Sequence, residues 1–119
     1  MSNTFGQRLR QLRLEQCANQ RDLAQRVGID FTYLSKIENS RMPPPAAATI
    51  VRLAKALHAD TDELLLLANK VPRDITPILT RSRAMPAFLR SIDDLSADEI
   101  EELSHYAQKM RDRRNGTQD

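Results

Sequence analysis

The feature that most constrains the fold is a pair of short amphipathic segments joined by a tight turn between residues 20 and 40. Asn19 offers an N-cap to the first segment, and Gly28 ends it as a residue able to adopt a positive φ. Asp30 offers an N-cap to the second segment, which runs from about Phe31 to Glu38. Two helices this short are not stable alone, so they must pack on helices that precede and follow them.

The apolar spacing within this pair follows a known pattern. Ala24 must be small where the second helix crosses it, and Gly28 must accept a left-handed backbone. Leu34 and Ile37 face the same core as the first helix. The spacing from Ala24 through three residues to Gly28, and then to Leu34 and Ile37, is the helix-turn-helix pattern.

Helical periodicity continues on both sides of this pair. It predicts a first helix from about Thr4 to Gln16, a fourth with Pro45 in its first turn, and a fifth capped by Asp60 or Thr61. Short proline-started helices are predicted over Ile75–Thr80 and Pro86–Asp94. A final helix to about Arg114 opens with a capping box at Ser96-Ala-Asp-Glu99. The sequence therefore predicts an all-α protein.

Composition excludes several classes of protein and site. Cys17 is the single cysteine, so no internal disulfide or cysteine cluster is possible, and we expect it to be a small filler at the end of the first helix. The residues show no membrane span, signal peptide, phosphate-binding glycine loop or catalytic triad. We therefore expect a cytoplasmic protein that is not an enzyme and needs no cofactor or metal.

The two halves of the chain differ in charge. Residues 1–56 hold nine Lys or Arg against four Asp or Glu, a balance of +5, whereas residues 57–119 hold nine against twelve, a balance of −3. The first half is therefore the candidate to bind a polyanion.

The run Asn-Gln-Arg-Asp-Leu-Ala-Gln-Arg-Val-Gly-Ile from Asn19, followed by Tyr33-Leu-Ser-Lys-Ile-Glu-Asn39, resembles the phage repressor/Cro family, the XRE-type transcriptional regulators. The likeness covers about Phe5 to Ala68 and includes the flanking motifs Arg52-Leu-Ala-Lys-Ala-Leu57 and Asp62-Glu-Leu-Leu65. It implies a five-helix, repressor-like DNA-binding domain over residues 1–70 and a short helical segment over residues 71–119.

The resemblance assigns roles around the second helix of the pair. Phe31, Thr32 and Lys36 match positions that face base edges in the major groove. For two of them an alternative to DNA contact stays open: Phe31 could cover the edge of the core, and Lys36 could be a solvated surface charge. Arg13 and Glu38 match a structural salt bridge that orients this recognition helix.

Phosphate contacts are also implied by the resemblance. Gln20 matches a residue that grips a phosphate and braces the recognition helix, and Tyr33, Asn39 and Arg41 match contacts flanking the groove. Tyr33 could instead be a packing residue. Ser40 stands where the family often has Gly, so we expect the turn after the recognition helix to differ in shape.

The segment after Pro72 carries too many apolar residues for a solvated tail. We expect it to form a homodimer, with Phe88, Leu89, Ile92, Ile100, Leu103 and Met110 at the interface. Two alternatives are that these helices complete the monomer's own core, or that they neutralise a partner, as in an antitoxin.

The family resemblance implies a mechanism. A dimeric repressor, or autorepressor, would bind double-stranded DNA at a palindromic operator and block transcription. Similar small repressors are relieved when an ImmA/IrrE-type metallopeptidase cleaves them, which here predicts that a cut after about Pro72 releases a monomer.

Overall fold

The computed structural model describes residues 4–116, and all regular secondary structure in that range is helical. The predicted all-α class is confirmed. The eight helices of the described range are α1 (Phe5–Glu15), α2 (Gln20–Val27), α3 (Phe31–Glu38), α4 (Ala47–Ala56), α5 (Thr61–Leu67), α6 (Thr76–Arg81), α7 (Met85–Ser91) and α8 (Ala97–Arg114).

The chain forms two compact units, Met1–Thr76 and Pro77–Asp119, hereafter unit 1 and unit 2. Unit 1 contains α1–α5, which pack around one core. In it α4 contacts both α2 and α5, and α1 contacts both α3 and α5. Unit 2 contains α7, α8 and all but the first residue of α6.

The core of unit 1 is aliphatic apart from one phenylalanine. Each large aliphatic side chain that is fully buried contributes roughly 1.5–3 kcal/mol of hydrophobic stabilisation. The buried apolar residues are Phe5, Leu9, Leu12, Leu23, Ala24, Val27, Leu34, Ile37, Ile50, Leu53, Ala54, Leu57, Leu64 and Leu65.

The N-caps predicted for α2, α3, α5 and α8 are confirmed. Thr4 and Ser96 each form a capping box, and Asn19 accepts a hydrogen bond from the backbone of Asp22. Asp60, not Thr61, caps α5, because its carboxylate accepts from two backbone N–H groups of the first turn. Side chains thus satisfy helix-start donors that would otherwise be unpaired.

Four of the five helices in unit 1 end in the same way without a glycine. The residue after the C-cap adopts a left-handed conformation, and two backbone hydrogen bonds close the turn as in a Schellman motif. These residues are Cys17 (φ 55°), Ser40 (φ 60°), His58 (φ 53°) and Asn69 (φ 59°). Cys17 is exposed, so the prediction that it fills space in the core at the end of α1 is wrong. It is instead the left-handed residue of the turn that ends α1. Gly28, at φ 83°, ends α2 as predicted.

Two predicted helix boundaries are wrong. Pro45 was expected in the first turn of α4, but Ala46 is the N-cap in an extended conformation, and Pro45 is buried before the helix begins. The additional extended residue allows the proline ring to pack inside unit 1. Helix α7 ends at Ser91 instead of Asp94, which keeps Asp93 and Asp94 out of a last turn where the helix dipole disfavours negative charge.

Helices α6, α7 and α8 have no buried residue. Their apolar side chains are half-buried or exposed, although the capping box at Ser96 fixes the start of α8. Within residues 4–116, no helix combines the length and apolar character that a membrane crossing requires.

Candidate nucleic-acid interface

Helix α3 has one buried face and one exposed face. Leu34 and Ile37 are buried in the core of unit 1, whereas Thr32, Lys36 and Asn39 are exposed. These three occupy positions i, i+4 and i+7, so they share one side of the helix and its C-cap. An α-helix with its side chains is about 10–12 Å across, which matches the roughly 12 Å width of the major groove.

The start of α3 is anchored by Asp30. Its carboxylate accepts hydrogen bonds from the backbone of Thr32 (2.9 Å) and Tyr33 (3.3 Å). Tyr33 and Phe31 are half-buried and pack against the core. The guanidinium of Arg21 lies 4.5 Å from the centroid of the Phe31 ring, a cation–π contact that the sequence analysis did not anticipate. Phe31 therefore has packing partners of its own, and a cation lies over its ring.

The other end of α3 is held by a buried charge network. Arg13 Nε donates to Glu38 Oε2 at 2.7 Å, and Arg13 Nη2 donates to Glu38 Oε1 at 2.9 Å. Arg13 Nη1 also donates to the carbonyl oxygen of Ala18 at 3.0 Å. The two side chains that the resemblance paired thus form a bidentate contact between α1 and α3, the strong geometry for such pairs.

Gln20 extends this network to α2. Its Nε2 donates to Glu38 Oε1 at 2.9 Å, so the carboxylate of Glu38 receives hydrogen bonds from both α1 and α2. An amide nitrogen carries two hydrogens. Gln20 is half-buried, and bracing α3 with one hydrogen is compatible with donating the other to a phosphate.

Gly6 also positions α3, and the sequence analysis missed it. A Cβ at this position would overlap the carbonyl oxygen of Ile37 and lie 2.8 Å from that of Glu38. The absence of a side chain therefore lets α1 pack directly on the last backbone turn of α3. A glycine inside an amphipathic helix costs about 1 kcal/mol relative to alanine, which is the sequence signal for such a packing role.

Arginines connect the remaining helices of unit 1. Arg52 Nε donates to the carbonyl oxygen of Val27, and Arg26 Nη1 donates to that of Ala56, each at 3.1 Å. The two bonds link the last two residues of α2 to α4. Arg8 pairs with Glu63 at 2.9 Å, and this hydrogen bond raises the pKa of the Arg8 guanidinium above its ordinary value.

Several basic side chains remain exposed on unit 1. Lys36 is on the exposed face of α3, and Arg41 follows the Schellman turn two residues after the C-cap Asn39. Arg10 and Arg21 are also exposed. These positive charges, rather than a concave pocket, are the feature suited to an extended polyanion.

None of the six residues expected at a dimer interface is buried in unit 2. Phe88, Leu89 and Met110 are 47%, 41% and 49% exposed. The remaining three are Ile92, Ile100 and Leu103, which are half-buried or exposed. The alternative in which they complete the monomer's core therefore receives no support from their burial.

The described residues contain no group of three or more His, Cys, Asp or Glu side chains placed to hold a metal ion. The carboxylates around α3 are used instead for capping and bracing, as Asp30 and Glu38 show.

Comparisons with known proteins agree with this geometry. A family model described as a helix-turn-helix domain matches residues 4–67, more than half of the chain. The uncharacterized HTH-type transcriptional regulator RghRB of Bacillus subtilis (strain 168) is 31% identical over 121 aligned positions, which cover 86% of this chain and 87% of RghRB. The solved complex of the SinR protein with the SinI protein contains a chain similar in fold, with a TM-score of 0.51 and 23% identity over 92% of this chain and 99% of that one.

Proposed function

This chain belongs to the XRE-type helix-turn-helix family of DNA-binding transcriptional regulators, and we propose that it acts as a homodimeric repressor of a palindromic operator. In this proposal residues 1–70 bind DNA and residues 71–119 form the dimer. In this mechanism the dimer occupies the operator in the cytoplasm and blocks transcription. One such operator lies at the protein's own promoter. It requires no catalytic group and no cofactor.

The observation that carries the proposal is the exposed face of α3. Thr32 and Lys36 are exposed on it, while the opposite face is fixed in the core of unit 1. Lys36 has the chemistry to donate to guanine O6 or N7, and Thr32 to contact a thymine methyl. Gln20, Tyr33, Asn39 and Arg41 would contact phosphates around the groove, and Phe31 would contact DNA through the part of its ring that the core leaves open.

A DNA titration tests this assignment. Wild type and Lys36→Ala are titrated against the protein's own upstream region and against random DNA, each at two salt concentrations. We expect Lys36→Ala to weaken specific binding by about 1–3 kcal/mol and to reduce the preference over random DNA, because it removes a base contact.

Lys55→Ala is the matched control. Lys55 is an exposed lysine on α4 of the same unit, so its loss changes the net charge equally without touching α3. If the two variants weaken specific and random DNA alike, Lys36 acts through charge only and its base-reading role is wrong. The salt dependence of wild-type binding reports the number of phosphate contacts.

The limited reach of one α3 supports the proposed dimer. A single recognition helix contacts few base pairs, and a two-fold dimer reads two half-sites roughly 34 Å apart. The exposed apolar side chains of unit 2 supply a surface for it, since Phe88 and Leu89 face solvent in the single chain.

Proteolytic relief is the regulatory part of the proposal. A cut after Pro72 by an ImmA/IrrE-type metallopeptidase would leave the core of unit 1 intact and remove α6–α8. We expect a 1–72 fragment to be monomeric in sedimentation and to bind the operator at least tenfold more weakly than the full chain. A fragment that keeps full operator affinity would contradict both the dimer requirement and this mode of control.

The same exposed residues favour a second candidate function. Phe88 and Leu89 would suit binding to a different protein, so the chain would act as an antitoxin-like regulator whose unit 2 neutralises a partner. The two candidates differ in the free protein. A repressor dimer covers these side chains without any partner, whereas an antitoxin leaves them accessible until its partner binds.

A further inference from the structure

The long helix of unit 2 has an apolar stripe whose spacing reads the same in both directions. Ile100, Leu103, Ala107 and Met110 are separated by three, four and three residues on α8. None of them is buried, and Met110 is 49% exposed. The midpoint of the stripe is His105, within the central turn of the 18-residue helix.

The charges on α8 are divided about the same midpoint. Its first half carries Asp98, Glu99, Glu101 and Glu102 with no basic residue, whereas its second half carries Lys109, Arg111, Arg113 and Arg114 with Asp112 as the single acid. A helix dipole favours this distribution only within the first and last turns. Glu102 and Lys109 lie outside those turns, so the dipole does not account for the whole division.

From these two observations we propose that α8 pairs with α8 of a second copy of this chain in an antiparallel orientation. A two-fold axis at His105 then places Ile100 opposite Met110 of the second copy, and Leu103 opposite Ala107 of the second copy. The acidic first half of each helix lies beside the basic second half of the other. This inference rests on the dimer in the proposed function and specifies how α8 takes part in it and in which direction, while Phe88 and Leu89 of α7 stay in the proposed interface.

A parallel pair is disfavoured by the same residues. It would place the acidic half of one helix beside the acidic half of the other, and the basic halves would likewise face each other. Like charges in neighbouring positions are destabilising, whereas opposite charges flanking an apolar seam set the orientation of paired helices. A different protein could meet the stripe, but the internal complementarity of both stripe and charge identifies a second copy as the occupant.

Disulfide trapping tests the orientation. Cys17 is exposed, so Cys17→Ser provides a background without a reactive thiol. Ile100→Cys and Met110→Cys are made separately in this background of the full chain. Each protein is oxidised alone, and an equilibrated mixture of the two is oxidised as well. The antiparallel pair predicts a covalent dimer in the mixture and little in either protein alone, because a disulfide needs Cα atoms within about 7 Å of each other.

Each other outcome has a definite meaning. Cross-linking of either protein alone shows a parallel pair and overturns the inference. A dimer in sedimentation without cross-linking shows that another surface of unit 2 pairs, which overturns the inference while the proposed dimer stands. A monomer in sedimentation at the concentrations that bind DNA overturns the proposed dimer itself.

Charge reversal supplies a second, independent readout. Arg111→Glu places a carboxylate opposite Glu99 of the second copy in an antiparallel pair, and we expect the dimer dissociation constant to rise about tenfold. Adding Glu99→Lys to the same chain restores opposite charges across an antiparallel pair and should return the constant to within about threefold of wild type. In a parallel pair the first variant changes little, and that result would refute the proposal. Circular dichroism of each variant checks that α8 remains helical.

Discussion

Unit 1 and unit 2 differ in how much of their own apolar surface they bury. Among the described residues, unit 1 buries a cluster of aliphatic side chains, one phenylalanine and one ion pair, whereas α6, α7 and α8 bury no residue. Both units contain capped helices with apolar residues at helical spacing. The difference therefore lies in whether the apolar face of each helix finds a partner within the same chain.

This contrast separates two sources of stability. The fold of unit 1 is stabilised by contacts inside one molecule and should not depend on protein concentration. A helix that covers its apolar face by association becomes more stable as the protein concentration rises, because mass action links folding to binding. If unit 2 associates as proposed, the DNA-binding unit would stay folded while the association of unit 2 responds to protein concentration or cleavage.

The largest expected effect comes from the buried ion pair of unit 1. Glu38→Ala should lower the free energy of unfolding by about 3–5 kcal/mol, because it leaves the buried guanidinium of Arg13 without its carboxylate. Urea unfolding followed by circular dichroism measures this change. Glu101→Ala in unit 2 is the control, an exposed glutamate whose loss should change the free energy by less than about 0.5 kcal/mol. A loss below 1 kcal/mol for Glu38→Ala would show that the network does not hold α3.

A leucine in each unit gives the most direct comparison. Leu53→Ala, in the core of unit 1, should cost about 2–5 kcal/mol at every protein concentration, because it removes a fully buried side chain. Leu89→Ala, at a residue 41% exposed in unit 2, should cost less than about 0.5 kcal/mol in dilute protein. Its cost should grow with protein concentration if Leu89 is covered in the dimer. Equal costs for the two variants at all concentrations would contradict the contrast between the units.

The sequence contained enough information to predict the helices, the N-caps of α2, α3, α5 and α8, and the face of α3 that is buried in the core. Side-chain oxygens at Asn19 and Asp30 act on N–H groups two or three residues away, so their effect is local and visible in sequence. The pairing of Arg13 with Glu38 spans twenty-five residues and was expected only through the family resemblance. The DNA-contact and dimer residues remain predictions, because they concern molecules outside the chain.

Contacts made by backbone or by stacked side chains were not predictable in the same way. The close approach of Gly6 to the end of α3 depends on how α1 and α3 cross, and the stacking of Arg21 on Phe31 depends on the angle between α2 and α3. The position of Pro45 before α4 depends on the space available for its ring. None of these has a local sequence signature beyond the presence of an unusual residue in a helix or loop.

The smallest expected effect concerns the turn that ends α3. Ser40 adopts φ 60° in a Schellman motif, where its backbone N–H donates to Ile37 and that of Arg41 donates to Lys36. A side chain in this conformation costs about 1 kcal/mol, which glycine avoids. Ser40→Gly should therefore raise the free energy of unfolding, by about 0.5 kcal/mol after the greater unfolded-state freedom of glycine is included.

Gly28→Ser is the reverse substitution at the end of α2 and completes this test. Gly28 has φ 83°, and an added Cβ would meet no atom within 4 Å, so the cost of the serine is confined to the backbone. Gly28→Ser should lower the free energy of unfolding by about 1 kcal/mol, opposite in sign to Ser40→Gly. Thermal and urea unfolding of both variants measures the two changes in the free energy of unfolding. Destabilisation by Ser40→Gly would show that the serine side chain stabilises the end of the recognition helix by more than its backbone conformation costs.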